Sequence, residues 1–257
     1  MHPTVRDRFV RSTIVVGVVV LVFAATACDN RAEIRTEALA GSRAVTFTTT
    51  DGVQLAGRLF GPANSTVGVV FSHMLPSDQS SWYEMAWLVA GKGYRALTFD
   101  FRGYCPGEDA GCSQGSQDPA ANATDLTAAL TFLRAQGVRR TALVGASMGG
   151  TASIVVAAQE AQGVRAVITL SAPASIEGLA AGPDQIQAIT AAKLFIAGNG
   201  DGVAAAAALA FYNQGPQPKD VKILPSNDHG TALLEGNQSE QTRDLIIGEL
   251  QRFLPVA

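Results

Sequence analysis

The chain has 257 residues, of which 47% are hydrophobic, enough for one α/β domain with a sizeable core. Its 19 basic and 22 acidic residues give a formal net charge of −3, and no basic block or basic-aromatic interleaving occurs. That pattern excludes the electrostatic footprint expected of a nucleic-acid-binding protein.

At the N-terminus, Arg6, Arg8 and Arg11 precede an apolar run from Ile14 to Ala27, which ends in Ala25-Thr26-Ala27-Cys28. A positive start, a short apolar stretch and small residues at its end describe a secretory signal over residues 1–27. A membrane-spanning helix needs about 20 apolar residues, more than this run supplies. Removing the signal takes away three Arg and one Asp, leaving 16 basic against 21 acidic residues, or −5. Ala25-Thr26-Ala27 suits ordinary cleavage, and hence simple secretion. The stretch also resembles a bacterial lipoprotein signal, although Ala25 stands where that pattern usually has Leu. The resemblance implies lipidation of Cys28, an acyl anchor holding the protein to the cell envelope, and a polar tether over residues 28–43.

Two alternating segments, Ala44–Thr49 and Val53–Phe60, flank Thr50-Asp51-Gly52 and predict a hairpin. The pattern then becomes strand–helix alternation. Strands are predicted at Val67–Ser72, Arg95–Phe101, Thr141–Ala146, Val164–Leu170, Lys193–Ala197 and Val221–Leu224. Helices are predicted at Ser80–Lys92, Ala120–Gln136, Thr151–Gln162, Gly202–Asn213 and Asn237–Leu254, the last with a cap-like Asn237 and Glu240. This order implies one domain over residues 44–257, a mostly parallel sheet of about eight strands with helices on both faces.

Gly145-Ala146-Ser147-Met148-Gly149 falls between a predicted strand and a predicted helix. A sharp turn there exposes the serine in a strained conformation, and small residues are needed two places on either side. A second match, Gly111-Cys112-Ser113-Gln114-Gly115, has no strand before it and no helix directly after it. Context favours Ser147. A serine hydroxyl needs an imidazole to accept its proton and a carboxylate to orient that imidazole. Of three histidines, His2 lies in the signal, His73 follows an early strand, and His229 follows the strand ending at Leu224. Reactive groups in open α/β sheets collect beyond strand carboxyl ends, which favours His229 as the base. Asp201, in the Gly-rich turn after Lys193–Ala197, is the expected acid. Asp228 and Glu177 are weaker candidates.

The strand order and the sequence Ser147, Asp201, His229 resemble the α/β-hydrolase superfamily across residues 44–257. The proportions resemble compact bacterial esterases, including dienelactone-hydrolase-like members. The resemblance implies a serine hydrolase acting on a small-molecule carboxylic ester through an acyl-enzyme, without metal or organic cofactor. It also implies an oxyanion hole from the backbone N–H of Met148 and that of Met74 or Leu75. The family commonly has Gly after its equivalent of His73; Met74 stands here, and its side chain is expected to narrow the acyl pocket. His73 is expected to be structural, Asp100 and Arg102 to hold the turn after their strand, and Trp82 to pack in the core or at the pocket rim. The short interval from Leu170 to Lys193 implies little or no lid.

In an exported protein, Cys105 and Cys112 are expected to pair, stapling one loop. Two thiols without a nearby His make a poor zinc set. The same three catalytic groups also suit acyl transfer, thioester cleavage or peptide hydrolysis, and a non-catalytic surface lipoprotein that uses the fold for binding is a further alternative.

Overall fold

A computed structural model describes residues 33–105, 110–160 and 162–256. The signal, Cys28 and His2 lie outside the described residues. Ten strands and seven helices follow in chain order: α1 over 33–40, β1 Ser42–Thr48, β2 Gln54–Phe60, β3 Val67–Ser72, α2 Tyr83–Ala90, β4 Arg95–Phe99, α3 Asn122–Ala135 and β5 Arg140–Ala146. Then come α4 Met148–Gln159, β6 Val164–Leu170, β7 Ser175–Ile176, β8 Leu179–Ala180, α5 Pro183–Ala188, β9 Ala192–Gly198, α6 Gly202–Gln214, β10 Lys219–Leu224 and α7 Ser239–Phe253.

Eight strands form one sheet in the order β1-β2-β4-β3-β5-β6-β9-β10. The β1–β2 and β2–β4 pairs are antiparallel and the others parallel. The buried strands are apolar on both faces, because helices cover both. In β9, Phe195 and Ala197 face one core layer while Leu194 and Ile196 face the other. The first layer is completed by α3, α4, α5 and α6, through residues such as Leu130, Val156, Ile186 and Phe211. The second is completed by α1, α2 and α7, through Ala38, Val89 and Leu250.

Connectivity locates the crevice. From β3 the chain steps to β4 on one side, then returns past β3 to β5 on the other. The loops after β3 and β5 therefore leave the same edge in opposite directions, the arrangement that opens a ligand crevice at strand carboxyl ends. Thr141–Ala146 thus delivers Ser147 to this crevice, beside the segment beginning at His73.

Several predicted elements shift. The helix after Ser147 starts at Met148 rather than Thr151, since the Gly pair is absorbed into its first turn. The expected Asn237 cap does not form: Gln238 is the N-cap of α7 and its side chain makes no capping bond. Part of the expected tether is ordered helix, with Ala38 of α1 fully buried and Leu39 packed on the second core layer. The interval after β6 holds the small β7–β8 hairpin and α5, anchored by Ile176, Leu179 and Ile186 against the first layer. Trp82 is wholly buried and its Nε1 donates to Ser72 O at 3.0 Å, so it lies in the core and not at a rim.

Cys105 and Cys112 are joined as a disulfide. The Ser113 that follows is buried, donating to Asp100 O at 2.6 Å and accepting from Ala56 N at 3.0 Å. Its hydroxyl thus ties the loop after β4 to strand β2. Removing the hydroxyl leaves a buried N–H and a buried carbonyl unpaired, which costs about 1–3 kcal/mol. Ser113→Ala is expected to lower the stability measured by urea unfolding by that amount. Its labelling by a serine-directed fluorophosphonate should match the unmutated protein; lost labelling in the folded variant contradicts a purely structural Ser113.

Candidate active site

Ser147 joins β5 to α4 with φ 46° and ψ −115°, a conformation that costs a residue with a Cβ roughly 1–3 kcal/mol. The surroundings hold it there. Its N–H donates to Leu170 O at 2.8 Å, and its carbonyl accepts from Thr151 N at 3.0 Å. A Cβ at Gly145 would meet the Gly149 carbonyl oxygen, and one at Gly149 would meet the carbonyl oxygens of Ser72 and His73. Both glycines are therefore required by close backbone approach. Ser72 Oγ adds a bond to Gly149 O at 2.9 Å, tying β3 to the helix start. The first intrahelical bond comes from Thr151, so the N–H groups of Met148, Gly149 and Gly150 precede it, and α4 presents positive potential at Ser147.

Asp201 and His229 meet directly: His229 Nδ1 lies 2.7 Å from Asp201 Oδ2. The His229 side chain is 43% exposed and that of Asp201 15% exposed. With Nδ1–H donating to the carboxylate, Nε2 is left as the basic nitrogen. The two loops are laced together upstream. Asn199 N donates to Leu224 O (2.8 Å), Gly200 N to Ser226 O (2.9 Å) and Ser226 N to Asn199 Oδ1 (3.1 Å). Asp228 faces away: its Oδ2 accepts from Ser226 Oγ at 2.7 Å and lies against Gly236. Glu177 sits in the β7–β8 turn with φ 42°, remote in sequence from both loops.

The loop carrying His229 also reaches the strand that leads to Ser147. A Cβ at Gly230 would lie 3.4 Å from Ala146 Cβ, so the residue after His229 packs beside the residue before Ser147. Ser147, Asp201 and His229 thus share one edge of the sheet.

His73 is fully buried and edge-on to the rings of Phe101 and Tyr104, at 5.0 and 4.6 Å between centroids. Phe101 N–H donates to its Nε2 at 3.1 Å, so that nitrogen carries a lone pair and Nδ1 carries the proton, donated to Met74 O at 3.1 Å. Burial pushes its pKa down to about 4, and it stays neutral 4.0 Å from Asp100. Asp100 itself accepts from Gln79 N (2.8 Å) and Gln79 Nε2 (2.6 Å). Arg102 pairs with Asp125 and Asp51. Both residues hold the turn after β4. Gln79, wholly buried, carried no signal in the sequence, because a glutamine in a polar loop is ordinarily a surface residue.

Met74 and Leu75 follow His73 on the crevice side, with a cis peptide between Leu75 and Pro76. The Met74 sulfur does not stand alone over the site: it contacts Gly230 and accepts from Thr231 Oγ1 at 3.7 Å. Among the described residues no cluster of His, Cys, Asp and Glu suits a metal ion.

Residues 69–228 match the family described as alpha/beta hydrolase fold, well over half of the chain. The chain belongs to this family. Solved structures of similar fold include an esterase of Pyrococcus furiosus, 19% identical with a TM-score of 0.67 over 83% of this chain and 93% of that one. A thermophilic esterase of Thermogutta terrifontis is likewise 19% identical, with TM-score 0.65 over 82% and 98%. A dienelactone hydrolase of Anabaena variabilis is 21% identical, with TM-score 0.68 over 83% and 98%. At these identities the likeness is one of fold. No curated protein matches the sequence at a significant level.

Within this alpha/beta hydrolase the buried neutral His73 sets a pH dependence. Unfolded, its imidazole takes up a proton near pH 6.5; folded, only near 4. Between those values the unfolded state binds more protons, so stability falls as pH falls, by up to about 3 kcal/mol. Asp51, held down to about 2 by Arg102, contributes its own acid loss only below the ordinary carboxylate range. Urea unfolding of the unmutated protein should show the decline from pH 6.5 to 4, and His73→Gln should flatten it. An equal decline in both proteins contradicts this assignment.

Proposed function

We propose that this protein is a serine hydrolase that cleaves carboxylic esters through an acyl-enzyme on Ser147. The observation carrying the reading is the strained Ser147 elbow on the same sheet edge as the hydrogen-bonded Asp201–His229 pair. His229 Nε2 takes the hydroxyl proton as Ser147 Oγ bonds to the ester carbonyl carbon. Asp201 keeps the imidazole in the required tautomer and stabilises the imidazolium. The N–H of Met148, at the start of α4, and that of Met74 or Leu75 receive the oxyanion; each such donor is worth about 3 kcal/mol. The alcohol departs with the proton from His229. Water, deprotonated by His229, then attacks the acyl carbon, releasing the acid and restoring Ser147. The chemistry is complete with these side chains. The small hairpin and α5 after β6, in place of a large insertion, favour small or accessible esters.

Short-chain nitrophenyl esters and a fluorophosphonate probe test the reading. Ser147→Ala should lose labelling and on the order of 10⁴- to 10⁶-fold in kcat, and His229→Ala a comparable amount. Equal labelling of Ser147→Ala and the unmutated protein, or no reaction of the latter, overturns it. Turnover of thioesters or peptides but not esters would redirect it to those acyl substrates.

The proposal includes export. The Cys105–Cys112 disulfide supports an oxidising compartment, and Cys28 at the end of an apolar run supports lipid attachment after cleavage. Mass spectrometry of the mature protein is expected to find a diacylglyceryl group on Cys28. An unmodified Cys28 at the N-terminus of protein in the medium would replace anchoring by simple secretion.

A further inference from the structure

The loop carrying His229 must be fixed in two directions, toward Asp201 and toward Ser147. The first is achieved by the hydrogen bonds that lace residues 199 and 200 to 224 and 226. None of those bonds reaches β3 or β5. On that side Gly230 lies beside Ala146 of β5, and the Met74 side chain reaches Gly230 from the loop after β3. Met74 leaves the loop after β3, and its sulfur lies within clashing distance of the position a Cβ of residue 230 would take. Gly230 has φ +58°, which disfavours a side chain there, and a Cβ would in addition press on the Met74 sulfur. The adjoining Thr231, only 3% exposed, donates its hydroxyl to the same sulfur at 3.7 Å. Ala146 closes the far side of the gap, 3.4 Å from the position of the missing Cβ.

We propose that Met74 is a positioning residue for His229, filling the space left by Gly230 and so setting the distance from the base loop to the Ser147 elbow. The inference rests on the assignment of Ser147 and His229 above. The arrangement is suited to the task. The Met74 backbone cannot drift, because its carbonyl accepts from the buried, neutral His73, which is held in turn by Phe101 N–H. The stem of Met74 packs on the second core layer, which also contains Ala146, Leu233 and Leu234. A single residue therefore spans from the expected oxyanion loop to the base loop. A thioether suits the place: it is unbranched, and its polarisable sulfur accepts the Thr231 hydroxyl. The sequence order His73-Met74 and His229-Gly230 expresses a size exchange, large after the first histidine and absent after the second.

The placement separates two roles for Met74. If it shapes the acyl pocket, truncation changes KM and the preferred chain length. If it positions His229, truncation leaves KM alone and slows every reaction that needs proton transfer from Ser147. Misplacement of a reacting group by about 1 Å costs on the order of 10²-fold in rate. Accordingly, Met74→Ala is expected to lower kcat and the rate of fluorophosphonate labelling together, by about 10- to 100-fold, with KM for a short nitrophenyl ester unchanged. Met74→Leu should restore most of that loss. Gly230→Ala should also slow labelling, and the double variant Met74→Ala/Gly230→Ala should be faster than the product of the two single effects requires. Thermal melts of each variant, all run well below their midpoints in the kinetic assays, keep lost folding apart from lost positioning. Multiplying single effects, or a raised KM with a new chain-length preference and unchanged kcat, would overturn the proposal. An unmutated protein that does not react with the probe at all would instead remove the hydrolase assignment on which it stands.

Discussion

A Cβ on residue 149 would run into the carbonyl oxygens of Ser72 and His73, and the geometry of the whole crevice follows from its absence. It lets the first turn of α4 rest directly on the end of β3. Once it rests there, the chain leaving β5 has only one residue in which to reverse, and Ser147 takes the left-handed conformation. The strain of that residue is offset by bonds that also join three strands: Ser147 N–H to β6, Ser72 Oγ to Gly149 O, and the Thr151 N–H closing the helix. The elbow is therefore a property of the sheet, and it fails as a unit if α4 is pushed away.

From that fixed point the two supporting loops are held by different physics. Asp201 and His229 are brought together by backbone hydrogen bonds, which are directional and fix orientation. The loop carrying His229 is set against the end of β5 by packing of Met74 beside Gly230, which fixes distance. The division is economical in residues: each loop needs only short segments, and neither contact depends on an ion pair exposed to salt. His73 supports the second contact, since its neutral tautomer, maintained by burial, accepts from Phe101 and donates to Met74.

What could be read in the sequence was whatever is encoded within one turn or one strand. The eight-stranded sheet was legible because β3, β5 and β9 are apolar on both faces, as strands covered by helices must be. Ser147 stood apart from Ser113 through its flanking strand and helix alone. Asp201 and His229 followed from scarcity and strand order. The Met74–Gly230 contact was not legible: Met74 and its neighbour Thr231 are 157 residues apart, and a methionine after His73 pointed to the acyl pocket. The α1 helix was hidden because its polar composition describes a tether as well as it describes an amphipathic turn, and a single buried alanine decides between them. The β7–β8 hairpin is two residues a side, too short for any periodicity.

In the loop after β4 the second serine motif makes structural bonds. Tyr104 precedes Cys105 and packs edge-on against His73; Ser113 follows Cys112 and binds Asp100 O and Ala56 N. The disulfide thus lies between the two residues that brace the underside of the crevice. Closing so short a loop removes about 2–3 kcal/mol worth of freedom from the unfolded chain. At one end Tyr104 packs on His73, which donates to Met74 O; at the other Ser113 ties Asp100 to Ala56. The bridge thus meets the crevice through its scaffold, by way of Tyr104, His73 and Met74.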